Sequence, residues 1–254
     1  MSQAQDPYFD LDPQRRVRLG MLTPSSNTVV EPICAQMLAQ APWITAHFQR
    51  FRVTAIRAGA EANAQFAVEP MLGAAQLLAD AEMNSISWNG TSASWLGLAR
   101  DRDLCVAITR ATGTPATTAT LAAFEALKLS GVSKVGLVTP YIPEILDAIK
   151  DQLEANGYQI PSALGLDLTD NYQIAKVRAA QLVEMTRAAA KAGCEAILVQ
   201  CTNLAGAPLV EALERETGVL ILDSVAVTLW GGLRAAGVDP GVIKGWGRLF
   251  REFA

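Results

Sequence analysis

Leu19-Gly20-Met21-Leu22-Thr23-Pro24 decides the fold, because the chain writes it a second time as Val135-Gly136-Leu137-Val138-Thr139-Pro140. Each copy is a short apolar run closed by Thr-Pro, which reads as a buried parallel strand ending in a turn. A second landmark follows each copy, Asn89-Gly90-Thr91-Ser92 in the first half and Gln200-Cys201-Thr202-Asn203 in the second. Gly20 to Gly136 is an offset of 116, and Gly90 to Cys201 is an offset of 111. Two landmarks at nearly one offset indicate an internal duplication. The expected fold is α/β with two pseudo-symmetric lobes, each a mainly parallel sheet flanked by helices, and an active-site cleft between them.

Working outward, residues 17–23 predict the first strand, and Ser25, Ser26, Asn27 and Thr28 the cap of a helix with Pro32 in its first turn. Strands are expected at 43–53, 85–88, 134–138, 195–200 and 219–223, with a strand or loop at 164–168. Helices are expected at 63–81, 94–112, 119–129, 142–156, 174–192, 206–216 and 224–236. Residues 1–115 then form the first lobe and 116–224 the second, with 225–254 packing back on the first. In open α/β sheets ligands sit beyond the carboxyl ends of the strands. The repeat puts four such ends, Pro24, Gly90, Pro140 and Cys201, in corresponding places.

Half of the 254 residues are apolar, enough for one large core or two modest ones. The net charge is -4 and the 21 Lys and Arg are scattered, which argues against a nucleic-acid partner or an acidic membrane surface. The first sixteen residues are polar, with Asp6, Asp10 and Asp12, unlike a signal peptide, so a cytoplasmic location is expected. Cys34, Cys105, Cys194 and Cys201 show neither C-x-x-C spacing nor a Cys/His cluster, so no metal site is suggested. The single histidine, His47, has no neighbour of ligand spacing. Proton transfers in this chain therefore fall to Cys, Asp, Glu, Lys or Tyr. The sequence leaves oligomeric state open, a homo-oligomer included.

Cys201 ends an apolar run and precedes Gly206, Pro208 and a helical pattern. A strand delivering a thiol to a helix N-terminus would favour the thiolate and hold carboxylates nearby. The alternative is a core cysteine, since free Cys is among the most buried residue types. Asn27, Thr91, Ser92, Thr202 and Asn203 are equally good helix caps and carboxylate ligands, and Tyr141 either joins the site or covers the core edge. Trp88 and Trp95 flank the first-lobe position and either line a pocket or pack on the next helix.

With these landmarks in place, the chain resembles the aspartate/glutamate racemase superfamily, and within it the arylmalonate decarboxylase and maleate cis-trans isomerase branch, from Gly20 to Phe250. The resemblance implies one catalytic position per lobe, usually a cysteine pair, and neither metal nor organic cofactor. Here those positions hold Cys201 and Gly90, the latter standing where a first cysteine is missing. Gly90-Thr91-Ser92, the lone Cys201 and the closing Gly245-Trp246-Gly247-Arg248-Leu249-Phe250 are similar to the decarboxylases. Pro24-Ser25-Ser26-Asn27-Thr28 and Cys201-Thr202-Asn203 look more like the isomerases, whose asparagines hold substrate carboxylates.

The resemblance implies a small carboxylate substrate held by Pro24, Ser25, Asn27, Thr91, Ser92, Tyr141, Thr202 and Asn203. By analogy, one carboxylate of a substituted malonate is held as it becomes an enediolate, the other leaves as carbon dioxide, and Cys201 delivers a proton to one face. Leu22, Pro24 and Val138 are candidates for an apolar wall beside the departing carboxylate. A maleate isomerase-like or racemase-like enzyme and a non-catalytic carboxylate binder are the rival readings.

Overall fold

The computed structural model describes residues 16–59 and 63–254. The acidic N-terminal tail read from the sequence lies outside them. β1 (Val17–Pro24), β2 (Ile44–Phe51), β3 (Ser85–Trp88) and β4 (Ala116–Thr118) form one sheet in the order β2-β1-β3-β4. β5 (Lys134–Val138), β6 (Gln159–Leu164), β7 (Ala196–Val199) and β8 (Leu220–Asp223) form another in the order β6-β5-β7-β8. Every pairing within both sheets is parallel. The two orders are the same order, with a topological switch between the first and third strand of each.

The helices are α1 (Val30–Leu38), α2 (Val68–Ala79), α3 (Ala93–Leu96), α4 (Leu98–Thr112), α5 (Ala119–Ser130), α6 (Pro143–Ala155), α7 (Asn171–Ile174), α8 (Ala179–Lys191), α9 (Val210–Thr217), α10 (Ser224–Ala235) and α11 (Arg248–Glu252). They cover both faces of the sheets, so the inner strands β1, β3, β5 and β7 are largely buried, while the edge strands β2 and β6 stay partly open. That explains why β1, β5 and β7 read as unbroken apolar runs. One continuous core carries through both sheets, from Leu19, Met21 and Ile86 to Leu137, Ile197 and Leu222.

The duplication extends to the pairing register. Leu22 pairs with Trp88 as Val138 pairs with Val199, and the N–H groups of Asn89 and Gln200 both reach back to the first strand, to Leu22 and Val138 at 2.9 Å. Trp88 pairs with Thr118 as Val199 pairs with Asp223. Both outer residues cap the helix that follows: the Thr118 hydroxyl accepts from Leu121 N–H at 3.0 Å, and Asp223 Oδ1 from Val225 and Ala226 N–H at 2.8 and 3.1 Å. Such caps typically contribute about 1 kcal/mol each.

Several expected boundaries move. β4, absent from the sequence reading, is three residues long and pairs with β3, so the first sheet runs to Thr118. The strand or loop expected at 164–168 is a strand upstream, at Gln159–Leu164. The helix expected at 94–112 breaks at Gly97, whose φ of 99° and ψ of 138° no helix accommodates. The one expected at 174–192 breaks before Ala179, where Arg178 is extended. α10 packs against β3, β4, α5 and α1 on the first sheet, whereas α11 packs against β8, with the Gly247 and Arg248 N–H groups donating to Glu211 and Glu214 of α9, so only part of the C-terminal segment lies on the first lobe. The Gly232 carbonyl of α10 accepts from the Ser85 hydroxyl at 2.8 Å, and a Cβ at Gly231 would come within 2.7 Å of Ala122. Glycine there lets a helix lie directly on its neighbours.

Candidate active site

Pro24 at the end of β1, Gly90 beyond β3 and Cys201 beyond β7 line one small cavity, and the fourth strand end contributes Tyr141. Thr91, Ser92 and Thr202 line it as well, with Trp88, Trp95, Val53, Ile56, Phe66 and Asn171. Two lobes that bring their corresponding strand ends to one chamber put Cys201 and Gly90 on its wall together. Every polar group on that wall is neutral, so an anion bound here is held by hydrogen bonds and not by counter-charge.

Cys201 is 4 % exposed. Its sulfur accepts the Asn203 N–H at 3.4 Å, and the Leu204 N–H and the Tyr141 hydroxyl also stabilise the thiolate. Burial outweighs these donors and pushes the thiol up to about 11. The expectation that a helix N-terminus would favour the thiolate is overturned. The 3-10 turn Ala207–Leu209 and then α9 begin too far along the chain, and the donors at the sulfur belong to the turn directly after β7. At neutral pH Cys201 is a thiol, the protonation state of a proton donor.

The Tyr141 and Thr91 hydroxyls are 2.8 Å apart, and burial, with Cys201 next, holds the phenol well above its ordinary value. Tyr141 is thus a neutral donor that joins the lobes beside the sulfur. Thr202 donates its hydroxyl to the Asn89 carbonyl at 2.9 Å. None of Thr91, Ser92, Thr202 and Asn203 makes a side-chain helix cap; Thr202 and Asn203 instead bond across the seam, to the Asn89 and Asn171 carbonyls.

The two asparagines serve the seam between the lobes. Asn27 Oδ1 accepts from Val29 and Val30 N–H at 2.8 and 3.0 Å, and its Nδ2 donates to the Thr202 carbonyl at 3.1 Å. Asn203 Oδ1 accepts from Thr28 N–H at 3.1 Å, and its Nδ2 donates to the Asn171 carbonyl at 2.6 Å. Asn27 and Asn203 are not among the residues lining the cavity, and neither is Ser25, which is exposed and accepts Val53 N–H at 3.2 Å. Leu22 and Val138 are fully buried and likewise absent from the wall, so the expected apolar surface is corrected to Val53, Ile56 and Phe66 with Pro24 and the two indoles.

Trp88 explains Gly90. The indole folds back over the residue two positions on, and a Cβ at Gly90 would lie 2.0 Å from its Cζ2 and 2.7 Å from its Nε1. The ring, tilted by 39° against Phe51 at 4.9 Å between centroids, fills the space a first-lobe side chain would take. Sequence reasoning missed Val53, Ile56 and Phe66, which follow β2, and Asn171, the first residue of α7. Only the Asp170-Asn171 pair carried a local signal, because Asp170 caps α7. Among the described residues no cluster of His, Cys, Asp or Glu has the makings of a metal site, and no helix is long and apolar enough to cross a membrane.

The chain is similar to enzymes of two kinds. The chain is 29% identical over 237 residues to an arylmalonate decarboxylase of Bordetella bronchiseptica, covering 92% of this chain and 96% of that protein. It is 26% identical over 242 residues to a maleate isomerase of Nocardia farcinica, with the same two coverages. Among solved structures, a Nocardia farcinica maleate cis-trans isomerase with a covalently bound succinylcysteine intermediate superposes with a TM-score of 0.84 at 24% identity, over 93% of this chain and 98% of that one. An arylmalonate decarboxylase crystal structure superposes with a TM-score of 0.77 at 27% identity, over 92% and 99%. Residues 19–250 match the model of the arylmalonate decarboxylase family, and the chain belongs to that family, in the branch of the Asp/Glu racemase-like enzymes that also holds the maleate isomerases.

Proposed function

We propose that this protein is a cofactor-independent decarboxylase of substituted malonate-type dicarboxylates, in which Cys201 protonates an enediolate. The observation that carries this reading is a single buried thiol, protonated at neutral pH, across a donor-lined cavity from a glycine. Thr91, Ser92, Tyr141 and the backbone N–H groups after β7 hold one carboxylate. The bond to the other breaks, carbon dioxide leaves, and the electron pair passes into the enediolate those donors stabilise. Desolvation against Val53, Ile56 and Phe66 favours loss of the second charge. Cys201 then gives its proton to carbon. The thiolate left behind is held by the Asn203 and Leu204 N–H groups and the Tyr141 hydroxyl until solvent returns a proton. One thiol on one side makes a product of one hand.

The test is incubation with methylmalonate, hydroxymalonate, phenylmalonate and maleate in deuterated water. Carbon dioxide and one deuterium in a single enantiomer are expected from a malonate; fumarate from maleate without carbon dioxide would overturn the reading in favour of an isomerase. Cys201→Ala is expected to lower kcat by about 10³-fold with unchanged circular dichroism, and full activity in that variant would remove Cys201 from the chemistry.

A further inference from the structure

Three tryptophans, Trp88 and Trp230 buried and Trp95 half-buried, differ in one respect. The Trp230 indole N–H donates to the Phe253 carbonyl at 2.9 Å, whereas Nε1 of Trp88 and of Trp95 is buried without a partner. Both orphans line the cavity that holds Cys201. An indole nitrogen is a donor only, and a buried donor left unpaired costs about 1–3 kcal/mol. Trp88 is fully buried, and its Nε1 edge lies against Gly90 on the cavity wall. With no cation on that wall among the described residues, a dicarboxylate needs more donors than Thr91, Ser92 and Tyr141 supply, because the Thr91 and Tyr141 hydroxyls already engage each other.

We propose that Trp88 is a substrate-binding, specificity-determining residue: its indole N–H, on the wall of the cavity that also holds Cys201, takes an acceptor atom of the substrate, and its ring restricts the site to small dicarboxylates whose third substituent is short and oxygen-bearing. This rests on the malonate reading above for the reaction but not for the binding. Two features carry it. The unpaired N–H asks for an oxygen and not for an aryl face, and the ring fills the space over Gly90, where a Cβ would lie 2.0 Å from it, so that wall has little room for a bulky substituent. The same ring keeps any acid or base off the face opposite the thiol, so that the pair Trp88–Gly90 also enforces single-handed protonation.

The experiment measures binding in a Cys201→Ser background, which stops thiol proton delivery, using hydroxymalonate and phenylmalonate as probes. Hydroxymalonate is expected to move the Trp88 indole ¹⁵N–H signal downfield, and Trp88→Phe to weaken its binding about tenfold or more, the loss of one hydrogen bond to a charged group. Phenylmalonate is expected to bind only after Trp88→Ala. The proposal is overturned if hydroxymalonate binds without moving that signal, if Trp88→Phe binds it as tightly as the parent, if phenylmalonate binds the parent more tightly, or if neither probe binds. Should Trp88→Phe fail to fold, the five indole signals of the unaltered chain still decide: the Trp88 signal must respond to hydroxymalonate, and a response confined to Trp95 overturns the proposal. Carbon dioxide release separates the two readings. An indole response without decarboxylation leaves this inference standing and removes the reaction, and decarboxylation of phenylmalonate by the unaltered enzyme does the reverse.

Discussion

The two halves of the molecule place the same strand ends around one chamber and equip them differently. The first lobe ends β3 in Trp88 folded over Gly90, and the second ends β7 in Val199 with Cys201 free to reach the cavity. At the outer cap the first lobe has Thr118 and the second Asp223. After the Thr-Pro turn the first has exposed Ser25 and the second buried Tyr141. A conserved scaffold with unlike furnishings shows that chemistry in this fold resides in a handful of side chains beyond the strands, while pairing register and caps are held in common.

The largest expected effect of erasing a difference lies at the caps. Burial raises Asp223 to about 7, so the folded chain keeps a proton that the unfolded chain loses near 3.8. The folded state therefore binds more protons across that window, and stability from this group is full below about pH 4 and falls as pH rises through 7. The shift corresponds to about 4 kcal/mol. Asp223→Asn, which keeps a capping side chain, is expected to flatten urea-unfolding stability between pH 4 and 7. The residual slope would come from Asp101, which burial raises to about 6. An unchanged slope would show that Asp223 ionises as freely as an exposed carboxylate.

Next comes the thiol position. Gly90→Cys places a Cβ 2.0 Å from the Trp88 ring, and the expected cost of overpacking is about 3 kcal/mol, read as a lowered Tm. Racemisation of an α-deuterated product should appear only when Trp88→Ala is combined with it. A stable single variant that racemises would mean that the indole swings aside at little cost.

Tyr141→Phe tests the Thr-Pro turn. It removes a donor at the sulfur and at Thr91, with an expected fall in kcat of roughly 30-fold and little change in Tm. A change confined to KM would make Tyr141 a binding group alone.

The smallest effect is expected at the seam. Asn203→Ala leaves the Thr28 N–H and the Asn171 carbonyl without their partner, and should cost about 1–2 kcal/mol of stability. Asn203→Asp, able to accept but not to donate, should lose less than Asn203→Ala if the Thr28 bond matters more than the Asn171 bond.

The scaffold was legible because strands buried on both faces leave unmistakable apolar runs, and because the Thr-Pro turn is written twice. β4 was not, since Ala116-Thr117-Thr118 is too short and too polar to differ from a loop until β3 lies beside it. The break at Gly97 was hidden in an otherwise helical pattern. Of the site, Cys201, Thr91, Ser92, Tyr141 and Thr202 could be found by aligning the halves, because alignment brings strand ends together. The partners of Asn27 and Asn203 could not, for a carboxamide reads alike whether it faces a ligand or a backbone 175 residues away. Nor could the fold-back of Trp88, because in a strand residues i and i+2 share a face without revealing whose volume fills it.

The two sheets of identical order carry one more consequence, and it concerns symmetry. Had each half remained a separate chain, pairing two copies about an axis would have forced identical strand ends to meet, thiol to thiol or indole to indole. Covalent fusion frees each half to change without its twin. A chamber with a proton donor on one wall and a bare glycine under an indole on the other is a form that no symmetric dimer can build.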